Sequence, residues 1–90
     1  MDVKQLQERL GMLAGPAQMN QLLTSVSHWI RTIFLSPEGL YIAKRPEDNA
    51  MLEKLAGLGL VELKEGDLHA AALTDAGRAL YRDFLAHGYY

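Results

Sequence analysis

Three histidines, at positions 28, 69 and 87, are the side chains best suited to bind a metal or move a proton near neutral pH, and no cysteine assists them. Their separations of 41 and 18 residues fit no compact metal-ligand spacing, so neither a metal site nor a cofactor is expected. His28 falls on a polar helical face near Thr24 and Arg31, and His87 in a last helical turn, where positive charge is favoured. Structural roles suffice for all three. Gly57-Leu58-Gly59 has two glycines of a phosphate loop, but it follows a helix rather than a strand and Glu62 stands where the third glycine belongs. Ser36-Pro37-Glu38-Gly39 lacks the nucleophile-elbow pattern. No catalytic set emerges, and neither enzymatic activity nor a small-molecule substrate is expected.

Binding chemistry is better represented. Lys44-Arg45 is the single adjacent basic pair; a solvated strand end before a helix is the favoured reading, and with Arg31 the pair could instead grip a phosphate or an acidic partner. Trp29 flanks an apolar helical stripe, where it either fills the core or, if exposed, anchors an interface. Val3, Leu6, Leu10 and Leu13 form an a/d-type seam that packs on its own domain or on a second copy. A second copy is favoured, because a short chain gains core by pairing.

These residues must be positioned by a small domain. With 90 residues, 49% hydrophobic, 22% charged and a net charge of −2, the chain has the composition of one soluble globular domain, residues 1–90. Such a chain hides only about 60–65% of the surface that its unfolded form exposes. The start, Met1-Asp2-Val3-Lys4-Gln5, has no secretory pattern, and Val26 to Leu35 is interrupted by Ser27, His28, Arg31 and Thr32, so no membrane segment and a cytoplasmic location are expected.

Spacing predicts a helix over about 2–14, stopped by Gly15-Pro16, and a second from Ala17 to about Leu35. The second carries an apolar stripe of Met19, Leu22, Leu23, Val26, Ile30, Ile33 and Phe34, with Ser27 on the polar side. After the turn at Ser36–Gly39 comes a brief strand, Leu40–Ala43, and then a helix opened by Pro46 with Ala50, Met51, Leu55 and Leu58 inward. Leu60–Lys64 and Leu68–Leu73 form a hairpin whose tip is Lys64, Glu65, Gly66 and Asp67. Thr74 caps a last helix from Asp75 to about His87, with Ala76, Ala79, Leu80 and Phe84 on one face. The expected class is α+β, mostly helical.

Residues about 51–85 carry a recognisable pattern: Leu52-Glu53-Lys54-Leu55 and Gly59-Leu60-Val61, then the hairpin, then Leu73-Thr74-Asp75-Ala76-Gly77. This stretch resembles the recognition helix, wing and following helix of winged-helix domains of the MarR and PadR type. The resemblance implies a winged-helix-like fold and, in that family, DNA binding. Two features depart from it. The stretch before the third helix, Ser36 to Arg45, offers a turn and strand in place of a positioning helix. The reading helix begins Glu47-Asp48-Asn49 and the wing tip adds Glu65 and Asp67, all unsuited to phosphates. Residues 1–45 carry a net charge of +2 and residues 46–90 a net −4, so the acidic half is the one that would face DNA. A non-catalytic module binding protein, as a homodimer, adaptor or inhibitor, is therefore favoured; the alternative is a regulator docking on duplex DNA through Arg31, Lys44 and Arg45.

Overall fold

A computed structural model describes residues 2–11 and 16–88, with the side chains of residues 16 and 17 left aside. The elements are α1 (Val3–Gly11), α2 (Pro16–Phe34), a single 3-10 turn at Pro37–Gly39, β1 (Leu40–Ile42), α3 (Pro46–Gly57), β2 (Val61–Lys64), β3 (Ala70–Leu73) and α4 (Asp75–Ala86). The fold is α+β and mostly helical. All three strands are antiparallel, in the order β1-β3-β2, so β1 joins the hairpin as an outer strand.

Local chemistry explains where the helices start and stop. Asp2 Oδ1 accepts from the Gln5 amide at 2.8 Å while Gln5 Oε1 accepts from the Asp2 amide at 3.1 Å, a reciprocal cap. A third amide of that first turn, Val3, donates to Asp83 Oδ2 of α4 at 2.7 Å, which pins α1 across the far end of the chain. At the end of α3, Leu60 N–H bonds Leu55 C=O and Gly59 N–H bonds Ala56 C=O, with Gly59 at φ 78°. That pairing needs a left-handed residue, which glycine supplies without strain. Thr74 caps α4 as expected, its hydroxyl accepting from Gly77 N–H at 3.1 Å and donating to Gly59 C=O at 2.7 Å.

The core lies between the inner sheet face and the four helices, with Leu6, Leu23, Ile30, Ile33, Leu52, Leu55, Leu60, Leu80 and Phe84 fully buried. Val3, Leu6 and Leu10 are all within it, packed toward α2 and α4 of the same chain. The expected seam against a second copy is thus corrected: the apolar face of α1 completes the domain's own core. Leu13 lies outside the described residues.

Other side chains also changed sides. Phe34 is exposed and stacks on Tyr81, with ring centroids 4.4 Å apart, whereas Ser27 is buried. In α3 the buried positions are Asp48, Leu52 and Leu55; Ala50 is exposed, and Met51 and Leu58 are half-buried. In α4 Gly77 is buried with Leu80 and Phe84, while Ala79 is exposed and Ala76 half-buried. A helix packed on two neighbours turns a broader and differently centred face inward than apolar spacing indicates.

Candidate functional site

Two surfaces meet along β1. On the side of α2 and α3 is a cleft lined by His28, Trp29, Thr32, Tyr41, Lys44, Arg45 and Asp48. Two of the three cations expected to act together, Lys44 and Arg45, reach it. Arg31 is exposed on α2 but does not line the cleft. Trp29 is half-buried and packs against the core, meeting Tyr41 edge to face at 5.6 Å and 90°. It braces β1 against α2; of the two roles open to it, packing on the core is the one these contacts match.

The cleft is not a simple cationic patch. Asp48 sits in its wall with its side chain 9% exposed, and Arg45 lies 3.5 Å from that carboxylate and 3.9 Å from Glu47. Two acidic side chains at the start of α3 therefore occupy Arg45, as befits the positive end of a helix. Lys44 has no ion-pair partner among the described residues.

Burial raises the Tyr41 hydroxyl above the ordinary phenol value of 10.0; the Asp48 charge adds to this and Arg45 opposes it. The folded chain holds that proton more tightly than the unfolded chain. The resulting stabilisation is complete below pH 10.0 and is lost as pH rises through the folded value. Thermal melts from about pH 8 to about pH 11 should show Tyr41→Phe losing less stability than the parent chain in the alkaline range. Equal losses would exclude Tyr41 as the source.

The second surface is apolar. Six large hydrophobic side chains are exposed among the described residues, and four of them, Phe34, Leu35, Leu40 and Ile42, fall in the short stretch from the last residue of α2 to the end of β1. Strand register explains the last two. Tyr41, Ala71 and Leu63 share the inner face of the sheet; Leu40, Ala72 and Glu62 form one outer row, and Ile42, Ala70 and Lys64 the next. Ile42 is 58% exposed at the free edge. Sequence reading placed a strand here but left its outward face unassigned, since nothing local in Leu40-Tyr41-Ile42 says which neighbour turns in.

The hairpin tip, Lys64, Glu65, Gly66 and Asp67, is exposed. It is tied back to α3 by a polar latch that the sequence did not reveal. Asn49 Nδ2 donates to Asp67 C=O at 3.0 Å, and Asn49 Oδ1 accepts from His69 N–H at 2.9 Å. Buried His69 places Nε2 3.1 Å from Glu53 Oε1, and a carboxylate only accepts, so Nε2 carries the hydrogen. Asn49→Ala removes both backbone bonds and should cost about 1–3 kcal/mol, with faster amide exchange at His69 as the local readout. Unchanged exchange there would show that the latch does not hold the tip.

A groove of about 600 Å³ between α1, α2 and α3 is lined by Leu10, Leu22, Val26, Met51, Leu55 and Leu58 among others. Among the described residues no three His, Cys, Asp or Glu side chains cluster as metal ligands, and no helix is long and apolar enough to cross a membrane. Comparison with protein-family models, with curated proteins and with solved structures returns no match to this chain.

Proposed function

We propose that this chain is a non-catalytic, winged-helix-like module that acts in the cytoplasm by binding protein. The observation that carries the reading is the uncovered pair of large apolar side chains, Leu40 and Ile42, on the outer face of β1. Clustered exposed apolar residues mark interaction surfaces more often than isolated ones do. The run from α3 through the hairpin to α4, with β1 added to the sheet, supports the winged-helix part of the reading.

Duplex DNA remains the alternative, favoured by the exposed Lys44 next to His28 and Thr32 in the cleft. Against it, Glu47 and Asp48 occupy Arg45, and Arg31 does not line the cleft. Two measurements separate the readings. Anisotropy of labelled duplex at about 50 mM salt should stay flat, whereas steeply salt-dependent binding would favour DNA. Immobilised full-length chain should retain a protein partner from extracts of its source cells or assemble with itself, and Ile42→Lys should abolish either. Retention that survives this substitution would place the binding surface elsewhere.

A further inference from the structure

Resting on that protein-binding reading, we infer that β1 is a self-recognition edge: a second copy of this chain pairs with it antiparallel about a two-fold axis near Tyr41. The backbone of β1 supplies the first reason. Ala43 N–H bonds His69 C=O at 2.8 Å, and Tyr41 faces Ala71 in the same register, so these odd positions turn their polar groups toward β3. Ladder alternation sends those of Leu40 and Ile42 the other way, out of the sheet. Leu40 N–H is taken by Pro37 C=O, which leaves Leu40 C=O and both polar groups of Ile42 along the free edge. Unpaired edges of this kind are templates for another strand.

Self-complementarity supplies the second reason and selects the occupant. Antiparallel pairing about Tyr41 sets Ile42 against Leu40 of the second copy, twice, so that each Ile42 N–H reaches a free Leu40 C=O and apolar side chains meet on the outer face. Three residues from Tyr41 on one side stands Glu38, and three residues on the other stands Lys44. Both are exposed and neither has an ion-pair partner among the described residues. The two-fold brings each Lys44 to the end of the joint strand pair that carries the other copy's Glu38. A parallel arrangement would set lysine beside lysine and glutamate beside glutamate. The chain thus carries, on one short edge, both halves of a charge-matched and apolar interface.

Sedimentation velocity of the full chain between about 10 and 300 µM should show a shift from monomer toward dimer. Ile42→Lys should leave monomer throughout, with an unchanged circular dichroism spectrum as the check on folding. Glu38→Lys and Lys44→Glu each replace two attractive contacts with two repulsive ones and should each weaken self-association about ten-fold. Mixed in equal amounts, these two single variants should associate to within about three-fold of the parent chain, because both contacts between them are then matched. Monomer at the highest concentration, or single variants that dimerise as the parent does, would overturn the inference. A monomeric chain that still retains a different protein through Ile42 overturns self-recognition alone, whereas a chain that does neither overturns the protein-binding reading as well.

Discussion

Gly77→Ala is expected to destabilise this domain by about 3 kcal/mol or more, the reverse of what glycine-to-alanine exchange does in an ordinary helix. A Cβ built on Gly77 falls 2.2 Å from the Leu60 carbonyl oxygen and 3.2 Å from both the Leu60 carbonyl carbon and a Leu73 methyl. The oxygen is backbone and is already held by Thr74 N–H at 3.0 Å, so it cannot swing away as a side chain would. Relief requires α4 to slide off β2, which would strain the Thr74 cap and the packing of Leu80 and Phe84. Gly57 is the internal control. Nothing lies within 4 Å of a Cβ built there, and Gly57→Ala should raise stability by up to about 1 kcal/mol. Urea unfolding monitored by circular dichroism measures both. A neutral Gly77→Ala would mean that α4 does not approach Leu60 as closely as described.

Leu6→Ala should cost about 2–5 kcal/mol, a large share of the roughly 5–15 kcal/mol that stabilises a domain. Leu6 is fully buried, with Val3 and Leu10 nearly so, and α1 packs on both α2 and α4. The loss combines the hydrophobic transfer of the removed atoms with the void left between three helices. Its dependence on protein concentration is the informative part. A seam within one chain gives a melting-temperature decrease that is the same at low and high concentration. A seam between copies would instead make the size of that decrease depend on concentration, because the substitution would then weaken association itself. The first outcome is expected.

Much of the architecture was legible because it rests on contacts near in sequence. The start of α2 at Pro16, the Thr74 cap and the turn at Gly59 each depend on residues within a few positions, and α2, α3 and α4 formed close to their expected bounds. The strands came out shorter than their patterns suggested: Leu68, His69, Leu60 and Ala43 fall outside them. At His69 the backbone N–H turns to the Asn49 side chain instead of a strand, while its carbonyl still accepts from Ala43 N–H.

The candidate site was less legible, and for one reason. Whether a side chain lines a surface depends on what packs behind it, and that neighbour is remote in sequence. Leu6 and Ile42 are both apolar residues in predicted elements, yet one is fully buried and the other 58% exposed. Arg45 and Lys44 are adjacent cations, yet Asp48 and Glu47 pair with one and not the other.

The three histidines resolve along the same line. Spacing alone argued against a metal site, since residues 28, 69 and 87 share no short segment. Packing then gave each its place: His28 beside the cleft, His69 in the latch, and His87 with Nδ1 2.8 Å from the Asp83 carbonyl at the end of α4. Helices, turns, caps and the uneven charge of the two halves follow from the amino-acid order, because hydrogen bonds within a turn and the sign of a side chain are local properties. The inward packing of α1, the close approach at Gly77 and the open edge of β1 follow only from the assembled fold, because each is set by the surface of another element.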